Sequence, residues 1–396
     1  MLSSIKNHWL LSKNAFNSTK VRTEVYDDLD TIKNIWDGLL PSNHHLSHAS
    51  LNVLSHANLE DLVYKYILVY DEKEVIGCIY LQILHFNHKH YDNSVLEKPQ
   101  FYLVKSFVLK QHIHLLVCGN LFRINFQGFY FKNQENNALV FDILSDYSKN
   151  NNDKQNFCGI LIKDVEKPAS PVVIQEKRFQ PFKDDITMEL YIRNSWIVFD
   201  DYLKNLSRKY LQRAKKILKA NESIQKRKLS IEDMNLYGSR IEELYKQVAL
   251  SQSIRMGILN VNYFIELKKY YHESFEMLGY FVNDELVAFS TYIYYQDSME
   301  IHFIGFDYQK NEAYKLYFNI IFDGIKIAIE KKLQRIELGR TAKEAKASAG
   351  AVSADIYNYI KLKHGLPSLA FSFFNSFFNS NVGDSWKSRN PFKENV

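Results

Sequence analysis

Residues 280–350 read YFVNDELVAFSTYIYYQDSMEIHFIGFDYQKNEAYKLYFNIIFDGIKIAIEKKLQRIELGRTAKEAKASAG, and the architecture follows from how this run is parsed. Tyr280–Asn283 and Leu286–Tyr295 have strand composition on either side of a turn at Asp284–Glu285. The chain re-enters a strand over Met299–Phe306. A helix is expected over Ala313–Lys332, where apolar residues recur at helical spacing. A short strand, Arg335–Leu338, then ends in Gly339-Arg340-Thr341, and a glycine-ended loop runs from Lys343 to Gly350. Three antiparallel strands, a crossover helix and one parallel strand make an α+β unit with one splayed junction in its sheet. Ligands of open sheets bind beyond such strand ends.

Outward from this run, the N-terminal half shows a similar series. A strand is expected at Val21–Val25 and helices at Leu29–Leu39 and Ser47–His56. A hairpin follows, Tyr64–Tyr70 and Val75–Leu84, around the charged turn Asp71-Glu72-Lys73-Glu74. Further strands are expected at Phe101–Leu109, Leu115–Val117, Phe157–Ile162 and Met188–Ile192, with a helix at Asn137–Lys149. The break between the halves is expected near Arg193–Phe199, giving domains 1–194 and 195–396. Helices are expected beyond it at Asp200–Ala220, Ile231–Leu250 and Asn262–Glu276, and a helical segment at Val352–Leu362. The tail Leu366–Phe378 reads as a packing element, with Trp386 and Phe392 as later anchors.

The order of elements resembles a GNAT-type acyltransferase domain. The second half is similar to the FemAB-like transferases, also described as peptidoglycan biosynthesis or recognition proteins, which carry two such domains in tandem. The resemblance rests on His302-Phe303-Ile304-Gly305-Phe306-Asp307-Tyr308, on Leu316-Tyr317, and on Glu337-Leu338-Gly339-Arg340-Thr341-Ala342 with Lys346 and Gly350-Ala351. Trp196–Lys216 resembles the basic helix that opens the family's second domain. The resemblance covers Trp196–His364 well and the first half in outline. It implies a fold of tandem GNAT-like domains, each a mixed, mostly antiparallel sheet flanked by helices.

Composition bounds the function. A chain of 396 residues with 46% hydrophobic and 24% charged residues is long enough and apolar enough for two cores. Cys78, Cys118 and Cys158 stand singly in apolar surroundings, which predicts buried thiols and no disulfide frame. Met1–Lys20 lacks the pattern of a secretory signal, and no apolar run approaches membrane-spanning length. A cytoplasmic protein is expected, with peripheral attachment to the inner membrane face as the variant of that location. Net charge is +5; of 50 Lys and Arg and 45 Asp and Glu, 21 and 22 fall in residues 1–194, leaving 29 and 23 beyond. The basic excess of the second half points to an anionic partner there.

Within the resemblance, the acyl donor lies in the gap between two splayed strands, a backbone amide polarises its carbonyl, and a base relieves the acceptor amine of a proton. Coenzyme A users grip the pyrophosphate with a glycine loop at a helix N-terminus. The corresponding run, Asp307–Ala313, has no glycine. No tightly bound cofactor is expected, and acyl-CoA or an acyl carrier protein would serve as donor substrate.

Glu300 and His302 alternate onto one face of their strand, opposite Met299, Ile301 and Phe303, and are the candidates for general base; the plainer alternative is a polar sheet face. Tyr292 and Tyr294 share a face of the preceding strand and would line the same cleft. Tyr308 belongs to the family-like run after the next strand. Arg340 and Lys346, past a strand's carboxyl end, would bind a carboxylate or phosphate. Tyr357 is the candidate general acid by resemblance. The basic helix carries Lys209, Arg213 and Lys216 among its cations and is followed by Lys226-Arg227-Lys228. An anionic lipid surface, an acidic carrier protein or tRNA would each account for it, against an ordinary solvated face. Nine of the 13 histidines lie between His44 and His114, and His44-His45, His88-x-His90 and His112-x-His114 invite a metal site, but no Cys pair or HExxH helix accompanies them, so no metal is expected.

These readings point to an N-acyltransferase that moves an acyl group from a thioester to an amine of a cell-envelope lipid or sugar precursor. The alternatives are an aminoacyl-tRNA-dependent transferase acting on a peptidoglycan precursor, and a non-catalytic protein that binds such precursors.

Overall fold

The computed structural model describes residues 7–10, 21–86, 113–150, 157–182, 186–251, 257–363 and 386–393. The strand expected at Phe101–Leu109 and the tail Leu366–Phe378 lie outside them. The chain forms two compact units: Met1–Asp185 with Ser253–Gly257 and Ile356–Asn379, and Ile186–Gln252 with Ile258–Asp355 and Ser380–Val396.

In chain order the first unit contains β1 (Asn7–Leu10), β2 (Val21–Tyr26), α1 (Lys33–Leu39), α2 (His48–His56), β3 (Leu62–Asp71), β4 (Glu74–Phe86), β5 (Ile113–Cys118), β6 (Phe129–Phe131), α3 (Leu139–Asn150), β7 (Phe157–Val165), α4 (Pro171–Lys177) and β8 (Gln180–Pro181). The second contains β9 (Ile186–Tyr191), α5 (Phe199–Asn205), α6 (Arg208–Ala220), β10 (Gln225–Lys228), α7 (Ile231–Leu236), α8 (Gly238–Leu250), α9 (Val261–Tyr271), β11 (Phe275–Val282), β12 (Glu285–Tyr294), β13 (Ser298–Phe306), α10 (Tyr308–Tyr314), α11 (Leu316–Glu330), β14 (Arg335–Glu337), α12 (Lys343–Ser348) and β15 (Val352–Asp355). The chain then returns to the first unit as β16 (Tyr357–Leu362).

Both sheets are mixed and mostly antiparallel, flanked by helices, as the GNAT-like reading expects. The first has the order β1-β2-β3-β4-β5-β7-β16-β8, with β6 also on β4; the second is β10-β11-β12-β13-β14-β9-β15. Among the described residues one pair in each is parallel, β5–β7 and β13–β14. Central strands are buried on both faces. In β3, Ile67 and Val69 enter one core with the α3 side chains, while Tyr66, Leu68 and Tyr70 enter another with Trp36 and Leu51 of α1 and α2. The β11–β12 hairpin turns at Asn283 and Asp284, both with positive φ (49° and 62°), the two-residue turn whose twist matches the strands.

Several elements differ from the sequence expectation. Met188–Ile192, expected in the first domain, contributes to β9 and pairs with β14 and β15 in the second sheet. Val352–Leu362 is not helical: it forms β15 in the second sheet and β16 in the first, where β16 lies on β7. The alternation of Tyr357, Tyr359 and Lys361 is the strand signal there. Asp200–Ala220 is two helices, because Leu206 turns inward and bridges to Phe392. The helix at Ala313–Lys332 is interrupted at Lys315, whose φ is 50°. Trp386 and Phe392 do pack on the second core, and all three cysteines are free and buried. No helix among the described residues is long and apolar enough to cross a membrane.

Candidate functional site

Among the described residues each sheet has one place where a parallel pair ends, which gives two candidate junctions. In the first, β5 and β7 stay paired from His114 and Phe157 to Cys118 and Ile162. Past Cys118 the chain makes an excursion over residues 119–128 before β6 resumes on β4. That excursion fills the space. Lys163 Nζ donates to the Arg123 carbonyl (2.6 Å) and pairs with the Asp164 carboxylate; both side chains are buried. The Phe126 amide donates to Asp164 Oδ2 (3.3 Å). Gly119 and Gly128 lie so close that a Cβ on Gly128 would stand 2.2 Å from the Gly119 nitrogen, a contact only glycine allows.

The second junction is built differently. Pairing of β13 with β14 covers only Ser298–Arg335, Met299–Ile336 and Glu300–Glu337; β14 then stops, while β13 runs on to Phe306. On its other edge β13 has a bulge. Ser290 opposes Ile304 but Tyr292 opposes Ile301, so β13 carries one extra residue at His302–Phe303. The Thr291 hydroxyl closes the break, accepting from the Phe303 amide (2.8 Å) and donating to its carbonyl (2.9 Å). The bulge turns Phe303 to the same side as His302, where its ring meets Tyr245, Tyr263 and Phe264. Simple alternation along the strand places it opposite. His302 as a residue is half-buried although its side chain is only 1% exposed, so its open part is main chain.

Glu300 and His302 do come together, as the alternation implies. Glu300 Oε1 lies 2.5 Å from His302 Nδ1, and Tyr295 donates to Glu300 Oε2 (3.0 Å). The Tyr263 hydroxyl of α9 is 2.7 Å from His302 Nε2. With the carboxylate fixing the proton on Nδ1, Nε2 is left to accept from Tyr263. The result is a continuous hydrogen-bonded line from Tyr295, through Glu300 and His302, to Tyr263. Tyr263 and Tyr295 were not legible as site residues, since their distance in sequence from His302 gives no hint of register.

The last residue of β14 adds a second set of groups. Glu337 stands between Glu300 on β13 and Glu189 on β9, three carboxylates in register across three strands. Arg335 pairs with Glu189, Tyr191 donates to it (2.7 Å), and Thr187 donates to Glu337. Burial pushes the Glu337 carboxyl up to about 7, with the neighbouring Glu300 and Glu189 charges adding to it against the hydrogen bonds of Thr187 and Gly339. Lys346, also buried, is lowered to about 7 by desolvation, against the pull of Glu337. The two grip one residue: the Gly339 amide donates to Glu337 (2.8 Å) and Lys346 donates to the Gly339 carbonyl (3.1 Å). Lys346 therefore holds the turn after β14 from inside rather than projecting from the surface. Arg340 follows Gly339 in this turn and is half-buried.

At the carboxyl end of β13 the chain enters α10 at once. Its first amides are already engaged. Tyr308 N donates to Gln247 Oε1 (3.0 Å), Gln309 N to Asp307 Oδ1 (2.9 Å) and Asn311 N to the Asp307 carbonyl (2.9 Å). Arg240 holds the other oxygen of Asp307 (3.1 Å). Tyr308 is exposed, its ring against Phe306.

Two expectations for the site are corrected. Tyr292 and Tyr294 oppose Ile301 and Met299, which puts them on the sheet face away from Glu300 and His302. There they are buried or half-buried against the core of α6 and α11, with Tyr292 accepting from Ser290 (2.8 Å). Without the bulge the register would have set Tyr292 opposite His302. Tyr357 lies on β16 of the first sheet, opposite Val165, its ring on that unit's core, so the second sheet does not bring it to Glu300 and His302.

Lys209, Arg213 and Lys216 lie exposed on α6, as the helical period implies, with Arg213 over the Phe318 ring (4.6 Å). Lys226, Arg227 and Lys228, by contrast, are ion-paired with Asp323, Asp233 and Glu276.

No family model matches the chain, and no curated protein does. Solved structures are similar in chain trace. FemX matches with a TM-score of 0.49 at 12% identity, over 89% of this chain and 100% of that one. A tandem GNAT protein from the clavulanic acid biosynthesis pathway matches with 0.47 at 7% identity, over 87% and 98%. A probable N-acyltransferase from Enterococcus faecalis V583 matches with 0.47 at 10% identity, over 87% and 73%. At such distances no residue role carries over, and the roles of Glu300, His302 and Tyr263 rest on the geometry of this chain alone.

Proposed function

We propose that the protein is a GNAT-fold N-acyltransferase that moves an acyl group from a thioester donor to a primary amine, with a cell-envelope lipid or sugar precursor as the acceptor class. The observation that carries this reading is the bulge at His302–Phe303. One residue there offers main chain at the open junction and holds its imidazole in a line with Glu300 and Tyr263. Main-chain amides beside a strand gap are donors for a developing oxyanion. The acceptor enters as an ammonium and must lose a proton before its nitrogen can attack. In the reaction the amine nitrogen bonds to the carbonyl carbon, the carbon–sulfur bond breaks, and sulfur leaves with the electron pair as thiolate. Nitrogen gives up two protons: the one shed by the ammonium before attack goes to solvent, and the one released as the amide forms passes through Tyr263 to His302 Nε2, with Glu300 stabilising the imidazolium, and ends on the thiolate.

Aminoacyl transfer from tRNA is the second reading, favoured by the exposed cations of α6. The deciding experiment incubates the full chain with acyl thioesters of N-acetylcysteamine and a panel of primary amines that includes ethanolamine and glucosamine. Amine-dependent thiol release with amide product is expected. Transfer from aminoacyl-tRNA alone would establish the second reading, and release from neither donor would leave a binding protein.

A further inference from the structure

We propose that α6 is the docking face for an acidic acyl carrier protein, which presents its thioester arm to the β13–β14 junction. This rests on the acyltransferase reading and names its donor. Arg208, Lys209, Arg213, Lys215, Lys216 and Lys219 are all exposed, and among the described residues none of them lies within ion-pair distance of a carboxylate. At 100° per residue they cover an arc of roughly 160°. Ala214, Ile217, Leu211 and Leu218 fill the opposite side and pack into the core. The apolar side is thus already used, whereas a membrane-surface helix buries its own in lipid.

Position and size narrow the partner. The helix lies against the start of α11: Arg213 covers Phe318, and Asn319 Nδ2 donates to the Ile217 carbonyl (3.4 Å). That places it beside the end of β13, from which α10 and α11 lead. Thirteen residues give a face about 20 Å long. The adjoining basic run, Lys226–Lys228, is neutralised by the chain's own acids, so between Arg208 and Lys228 the unpaired cations lie on one helix. A basic helix can also serve a nucleic acid; the carrier is chosen here because a face this short matches one acidic helix in extent and charge.

The donor's own phosphates find little at this end of β13. The first amides of α10 are engaged, and the Asp307 carboxylate that caps them would repel a phosphate approaching this end. A donor not held by its phosphates is held through its carrier.

The test titrates the full chain with holo acyl carrier protein from the source organism, with deacylated tRNA and with coenzyme A, at low and high salt. The wild type should bind the carrier, at least about tenfold more weakly after a rise from ~0.05 to ~0.3 M salt. Lys209→Glu/Arg213→Glu/Lys216→Glu should lose at least about tenfold in carrier affinity, with unchanged unfolding behaviour. Coenzyme A should bind at ~100 μM or weaker in both. The triple variant should keep wild-type turnover with the N-acetylcysteamine thioester, which is too small to reach α6. No carrier binding, carrier binding indifferent to the variant, tRNA as the ligand lost, or low-micromolar coenzyme A binding would each overturn the proposal. Absence of transfer with carrier binding intact would instead overturn the acyltransferase reading.

Discussion

In the first sheet β5 and β7 stay paired to Cys118 and Ile162, and the chain between Gly119 and Gly128 fills the space past them. In the second, β13 and β14 part at Glu300 and Glu337, and β13 is kinked by its bulge. The topology is shared, yet the polar groups do opposite things. Lys163 and Asp164 satisfy each other and the main chain of the excursion. Glu300, His302 and Tyr263 form one hydrogen-bonded line. On the proposed function, a junction serves as a site where its buried ionisable groups are linked to one another rather than spent on the main chain of an excursion.

The contrast can be broken most forcefully at the closed junction. Lys163→Met leaves the Asp164 carboxylate buried without its cation and should destabilise the protein by about 3–5 kcal/mol. Turnover measured below the unfolding transition should stay within about twofold. Urea unfolding and steady-state kinetics together check this; a stable variant with lost turnover would give the first unit a chemical role.

The open junction should show the converse. Glu300→Gln or His302→Ala should lower turnover by at least about 100-fold while the fold is retained, the usual consequence of losing a general base. Variants within about threefold of wild type would mean that positioning alone carries the reaction.

A smaller effect separates the pair gripping Gly339. The Glu337 carboxyl is raised from 4.5 to about 7, so the folded state holds a proton the unfolded state has released, and stability falls as pH rises across that window. Lys346 is lowered from 10.5 to about 7, so the unfolded state holds the extra proton and stability rises from pH 7 toward 10.5. The pair therefore contributes a minimum near neutrality. Glu337→Gln should remove the fall on the acid side and Lys346→Met the rise on the basic side, each on the order of 2 kcal/mol in urea unfolding against pH. Slopes unchanged in both variants would assign the shifts elsewhere.

The smallest effect concerns Arg340. Arg340→Ala should raise KM severalfold at nearly constant kcat, because it removes binding shared by ground and transition states. A fall in kcat at constant KM would move it into the chemistry.

Legibility in the sequence followed the range of each interaction. Glu300 and His302 were readable because two residues on a strand share a face. The α6 cations were readable from the helical period. Tyr292 and Tyr294 were misplaced by one inserted residue, since a slip of one exchanges the faces of a strand. Tyr263, Glu189 and Glu337 meet Glu300 and His302 only through tertiary register, which no local pattern reports. The missing glycine between Asp307 and Ala313 was readable, but the cap that Asp307 places on α10 and the engagement of the amides behind it were not.

The exchange of β9 and β16 between sheets has a consequence for synthesis. The first sheet cannot cover the free edge of β7 until Leu362 has left the ribosome, about 200 residues after Val165. At ordinary elongation rates that interval is roughly 10–40 s. During it, a strand buried along its whole length in the finished protein waits with one row of amides and carbonyls unpaired, a template for another nascent chain. A fragment ending at residue 194 would make that state permanent. The two halves of the sequence are therefore not separable pieces.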